Sequence, residues 1–150
     1  MSLPSFDSAR DEIQALFYAA WTANAPALNG GVAPRVEWQG VDALSPPPAD
    51  QPFARVYVRH AASRQVTFGP AGQRRFERVG LVTVQTLAPL GNRSGLSLAE
   101  SLGIIARNAY EGVGTASGIW FRKVTLQEMG PAGPHYMFSL TAEFEYHEVR

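Results

Sequence analysis

The segment from residue 79 to residue 91 constrains the fold of this chain more than any other. Residues 79–84 read VGLVTV, and such a run of valine and leucine is typical of a central strand that is covered on both faces. Pro89 and Gly91 predict the end of that strand, because proline cannot donate to a strand ladder. We therefore expect the rest of the domain to be built around this strand.

A helix is predicted directly after it. Ser97 and Glu100 have the spacing of a capping box, in which two side chains satisfy unpaired backbone donors of the first helical turn. Gly112 predicts the end of the helix. Between these signals, apolar residues recur at the spacing of one helical face, and they are Leu98, Leu102, Ile105 and Ala109.

The chain closes with its most regular strand pattern. From residue 136 to 147, apolar and aromatic residues alternate strictly with polar ones, which predicts an antiparallel strand with one covered face and one polar face. The glycines and prolines of residues 130–134 predict a turn that pairs this strand with one at residues 119–127.

The first half of the chain predicts a helix, two further strands and a long hairpin. A helix is expected at residues 8–23, with Ile13, Leu16, Phe17, Ala20 and Trp21 on one face. A short strand around Val36 and Trp38 follows, and residues 45–48 form a stiff proline connector. Residues 53–60 predict another strand. Residues 64–68 and 75 onward predict a two-stranded arm with its tip at 69–72, mobile in the monomer and ordered on assembly.

These elements predict one α+β domain over residues 1–150. We expect a single, largely antiparallel (mixed) sheet, two helices packed on one of its faces and a long protruding β-hairpin. A chain of 150 residues is long enough to bury a core without disulfides. The residues expected to share that core are Phe138, Leu140, Phe144, Leu102, Ile105, Leu16, Phe17 and Trp21.

Composition narrows the function. The 13 basic and 13 acidic residues cancel and there is no cysteine, so a global attraction to nucleic acid and all thiolate chemistry are excluded. The first segment is acidic, which argues against a signal peptide. The chain has no apolar run long enough to predict a membrane span. We therefore expect a cytoplasmic origin.

Charge is nevertheless distributed unevenly. Six arginines and one acidic residue lie between residues 55 and 78, whereas residues 124–149 contain four glutamates and no lysine or arginine. Such patches predict a subunit interface, and the residues expected to form it are Arg64, Arg74, Arg75, Arg78, Glu143 and Glu145. A solvated hairpin and a ribbon that contacts DNA phosphates are the alternatives for the arginines. The competing interpretation of the two patches is that they meet within one subunit, across neighbouring strands.

No residue pattern predicts an active site. The glycines of residues 112–118 follow a helix and do not open one, so they do not form a phosphate loop. Glu143, Glu145 and His147 share one strand face and could hold a metal, but a solvated strand face is the favoured interpretation. His60 and His135 are expected at the surface. We therefore expect no catalytic, cofactor-binding or metal-binding residues.

Two segments resemble a known family. The sequence LAPLG at residues 87–91 and the helix at residues 97–110 resemble the A-P-x-G-x-x-x-G loop and helix of tail terminator (tail completion) proteins of long-tailed bacteriophages and prophages. The order of the other predicted elements is similar to that family as well. The resemblance implies a structural protein without enzymatic activity or cofactor, which forms a ring, typically hexameric, on the head-proximal end of the tail tube.

The same resemblance implies the partners and the location. The implied partners are other copies of this chain, the tail tube protein and head–tail connector proteins, with DNA only as passing cargo and no membrane. The implied location is the virion, after assembly in the bacterial host cytoplasm. Another phage neck component is the nearest alternative. A small α+β enzyme or ligand-binding domain is the other, with polar groups supplied by Tyr57, Tyr136, His135 or the glutamates of the last strand.

Overall fold

The computed structural model describes residues 3–41, 45–91 and 94–150, which form an α+β fold as predicted. Two α-helices and five strands account for most of the described residues. They are α1 (Phe6–Asn24), β1 (Arg35–Trp38), β2 (Phe53–Gln65), β3 (Arg75–Pro89), α2 (Ser94–Tyr110), β4 (Trp120–Ala132) and β5 (His135–Val149), and a single 3-10 turn (Pro26–Leu28) follows α1.

The five strands form one mixed sheet in the order β1-β2-β3-β5-β4. β1 runs parallel to β2, and every other pair is antiparallel. β3 is central, as its composition predicts, because it pairs with β2 on one side and β5 on the other. The prediction that it is covered on both faces is wrong, since Leu81 on its second face is 41% exposed.

The arm differs from the predicted two-stranded ribbon. β2 is one strand from Phe53 to Gln65 with a single irregularity between His60 and Ala62. β5 accompanies β3 along its whole length, from the pair Arg75–Val149 to the pair Pro89–His135, so three strands and not two extend to the loop at residues 66–74. The long C-terminal strand supplies this third neighbour, which local patterns could not reveal.

The two helices begin in different ways from those predicted. Ser5 caps α1 in a capping box with Ser8, which was not predicted. α2 begins at Ser94, so Ser97 and Glu100 lie inside the helix and the capping box predicted for them is wrong. The first turn of α2 passes so close to β3 that a Cβ on Gly95 would collide with the Pro89 carbonyl oxygen. A glycine at this position permits that close approach, and α2 begins one turn earlier than the spacing indicates.

Both helices contribute to one buried cluster. Ile13, Phe17 and Trp21 of α1 are fully buried, as predicted, in the same cluster as Leu102 of α2 and Phe144 of β5. Two hydrogen bonds fasten the helices inside it. The Tyr110 hydroxyl donates to the Ile13 carbonyl, and the Trp21 indole donates to the Pro34 carbonyl, both at 2.9 Å.

Phe138 lies outside that cluster, contrary to the prediction. It is buried with Ala88 and Ala99 in a smaller cluster at the end of the sheet where β3 meets α2. Leu98 and Leu126 pack against both clusters. Among the described residues, no helix is long and apolar enough to cross a membrane.

Candidate assembly surface

The sheet has two unlike faces, because side chains alternate along each strand. Val56 and Val58 of β2 are fully buried, while Arg55, Tyr57 and Arg59 between and beside them point the other way. We call this second side the open face. It carries the corresponding residues of the neighbouring strands, which are Leu81, Thr83 and Gln85 of β3, Thr141, Glu143 and Glu145 of β5, and Trp120, Arg122 and Thr125 of β4.

The two glutamates predicted at an interface lie on the open face, already paired within the subunit. Arg122 Nη2 lies 2.8 Å from a Glu145 carboxylate oxygen, and Lys123 Nζ lies 3.1 Å from one of Glu143. Lys123 has a left-handed φ of 52° at an irregularity of β4, an uncommon conformation for a side-chain-bearing residue. The sequence predicts that β4 and β5 pair, but it could not reveal these ion pairs, because two irregularities of β4 shift the register between the strands.

Three of the four predicted interface arginines cluster around the arm tip. Arg64 forms an ion pair with Glu77 at 2.6 Å, yet 72% of its side chain remains exposed. Arg74 donates through Nε to the Gly69 carbonyl, and its backbone pairs with Arg150 at the chain end. Arg75 is exposed. This basic tip is available for contact.

Arg78 lies on the opposite face of the sheet from Arg64 and Arg75. Its guanidinium holds Glu148 at 2.7 Å, and their side chains are only 12% and 13% exposed. The backbone N–H of Phe6 donates to the same carboxylate. Arg78 therefore joins the start of α1 to the sheet inside the subunit.

Metal-ligand geometry involves a residue that sequence spacing could not identify. Potential ligand atoms of Glu77, Glu145 and His147 lie within 4.8 Å of one another, because β3 and β5 place Glu77 opposite His147. Both carboxylates already have a cation, since Arg64 holds Glu77 and Arg122 holds Glu145. The Arg64 hydrogen bond lowers the pKa of Glu77. The arrangement is thus charge-compensated by side chains of the chain itself.

His60 and His135, both expected at the surface, are packed into the protein. His60 Nε2 is 2.7 Å from the hydroxyl of the fully buried Tyr146, and its ring stacks on Phe6 at 3.7 Å. Burial, and then the Arg10 and Arg78 guanidinium groups, hold the pKa of His60 below its usual value.

Burial also raises the pKa of Tyr146 to about 12. His135 is 4% exposed, lies edge-on to Phe53 and meets the Gln51 carbonyl at 2.9 Å. Long-range strand pairing places both histidines in these surroundings, so the prediction of surface positions is wrong.

The groups named for a ligand-binding or enzyme domain do not converge. Tyr57, Glu143 and Glu145 lie on the open face. Tyr136 instead donates a hydrogen bond to Glu128, and His135 packs beside the turn that joins β4 to β5. Within the described residues, these side chains do not surround a common cavity.

Comparison with known proteins identifies the fold. No model of a known protein family matches the chain, and no curated protein matches it in sequence. A solved structure is similar, with a TM-score of 0.58 and 22% identity, and the match covers 91% of this chain and 94% of the other. The name of that protein carries no functional description, and at this identity the similarity shows the shared fold alone.

Proposed function

We propose that this protein is a structural component of a bacteriophage or prophage virion. It forms a ring, of six copies, on the head-proximal end of the tail tube, where it ends tube polymerisation and provides the surface on which the head docks, while DNA passes through as cargo. The observation that carries the proposal is the A-P-x-G-x-x-x-G sequence from Ala88 to Gly95, which includes the end of β3 and the start of α2, within the order of elements that resembles the tail terminator family.

The open face supports this proposal physically. Tyr57, Leu81 and Trp120 on it are 38%, 41% and 40% exposed, and they lie among arginines and glutamates. Aromatic and aliphatic side chains surrounded by guanidinium groups are the composition of a protein-binding surface. A ring also needs two different patches on each subunit, because its contacts are head-to-tail. The basic arm tip is one patch that is exposed for such a contact.

The test is assembly with the tail tube protein encoded by the same genome. The purified chain is examined by native mass spectrometry, and its effect on polymerising tube protein by electron microscopy. We expect a ring on one end of each tube and tubes of limited length, whereas tube protein alone should grow unchecked. A chain that neither binds the tube nor changes its length would refute the proposal, and a monomer with a stoichiometric small molecule would favour the ligand-binding alternative.

A further inference from the structure

The loop between β2 and β3 holds a large apolar side chain in water. Phe68 is 94% exposed. The loop around it is fixed by hydrogen bonds, since the Val66 N–H donates to the Arg75 carbonyl at 2.8 Å and Arg74 Nε donates to the Gly69 carbonyl at 2.7 Å. A phenyl ring on a preorganised loop loses little conformational entropy on binding, so Phe68 is suited to insert into a partner.

A groove elsewhere on the same chain has matching chemistry. It lies between α1 and the end of β1 and has a volume of about 420 Å³. Its aromatic wall is formed by Tyr18, which is 53% exposed, and Trp38, with ring centroids 5.9 Å apart. The remaining lining is Asp11, Gln14, Ala15, Gln39 and Val41. An aromatic wall of this kind packs well against a phenyl ring.

Charge also matches the tip to this groove. Arg74 and Arg75 are exposed next to Phe68, and Asp11 is exposed in the groove. Two other surface grooves are lined by Arg35 or Arg55, which would repel the basic tip, and a further groove that contains Glu12 has no aromatic residue in its lining. Opposite charges steer and orient association, so charge and the aromatic wall together favour the groove beside Asp11.

The tip cannot reach the groove of its own subunit. Trp38 is paired with Val56 at the base of β2, and nine residues of strand separate Val56 from Gln65, or about 30 Å at 3.3 Å per residue. β3 is held by β2 and β5 up to Arg75, so the arm cannot fold back. The occupant of the groove therefore belongs to another copy.

We propose that Phe68 of one subunit packs into this groove against Tyr18 and Trp38 of the next, with Arg75 facing Asp11. The inference rests on the proposed ring, and it names the contact that closes it. Phe68 and the groove lie on different parts of one chain, so the contact between subunits is head-to-tail, as ring closure requires. This pairing replaces Glu143 and Glu145 as the acidic partner of the arm, because those glutamates are neutralised by Arg122 and Lys123.

Two variants that each lose one half of the contact provide the test. Phe68→Ser removes the inserting side chain and keeps the groove intact. Tyr18→Ser removes part of the groove and keeps Phe68. By sedimentation velocity and native mass spectrometry, each should be monomeric where the wild type is a ring, with association weakened about 10- to 100-fold per contact, as for other aromatic anchors. Mixed together, they should form a 1:1 pair, because one intact contact remains.

Controls separate this contact from the proposed function. Met129→Ser alters a side chain that is 53% exposed on β4 and should leave the ring intact. Arg75→Glu should weaken the ring, and Asp11→Arg in the same chain should restore it. A ring that survives Phe68→Ser overturns the contact and leaves the tail function standing. A wild-type chain that stays monomeric at all concentrations, with and without tube protein, overturns both.

Discussion

Replacing Phe144 by alanine tests the arrangement of β5 against the helices. Phe144 is fully buried. Its ring stacks on Tyr146 with centroids 6.3 Å apart and meets the His60 ring edge-on at 5.3 Å. Across the sheet it covers Gly80, where a Cβ would lie 2.5 Å from the phenyl Cζ atom.

The expected loss of stability is large because this site cannot collapse. A buried Phe→Ala replacement typically costs about 3–5 kcal/mol. Here the strand neighbour is Gly80, which has no side chain to move into the cavity, so we expect the upper half of that range. For a domain of this size, 1 kcal/mol corresponds to about 2–4 °C. The melting temperature should therefore fall by roughly 8–20 °C.

Urea titration and thermal melting of dilute monomer measure this loss. Leu81→Ala is the matched control, since Leu81 adjoins Gly80 on β3 but points to the open face and is 41% exposed. It should change stability by only about 0.5 kcal/mol. If Phe144→Ala melted within 2 °C of the wild type, or if both variants lost equally, the assignment of the two sheet faces would be refuted.

Three further outcomes follow from the structure. Folding lowers the pKa of His60 from 6.5, so the unfolded chain binds a proton on His60 more readily than the folded chain does. The free energy of unfolding should therefore fall as the pH drops through about 6.5. Urea titrations should show a smaller fall for His60→Gln. Arg78→Met leaves a largely buried carboxylate without its guanidinium partner and should cost about 1–3 kcal/mol in urea titrations, whereas Arg64→Met at the exposed tip should cost much less; equal losses would contradict their placement. The double variant Glu145→Gln, His147→Gln should fold and assemble as the wild type does, and stoichiometric zinc that native mass spectrometry detects only in the wild type would contradict this.

Elements with strong local periodicity could be predicted from the sequence. The apolar stripe of α1, the alternation of β5 and the end of β3 at Pro89 all depend on neighbours within a few residues, and the structure confirms them. The first residues of the helices could not be predicted as well. The spacing of Ser97 and Glu100 satisfies a capping rule, but α2 begins at Ser94, where Gly95 permits a close approach to Pro89.

The candidate surface could be predicted only in part. Sequence indicated a basic arm and an acidic last strand, and the exposed positions of Arg64 and Arg75 agree with an arm tip. It could not separate these from Arg78, which faces inward toward Glu148. The irregularity of β2 between His60 and Ala62 breaks the alternation that would assign Arg64 to a face.

The sequence by itself thus determined which segments become helices and strands and which of their faces are apolar. Those properties follow from backbone geometry with periods of 3.6 and 2 residues, which adjacent residues express directly. The turn at residues 130–134 predicted that β4 pairs with β5, but tertiary structure alone decided that β5 also pairs with β3, and so brought Glu77 to His147. Strand order and register arise from packing between residues far apart in the chain, so no local pattern records them.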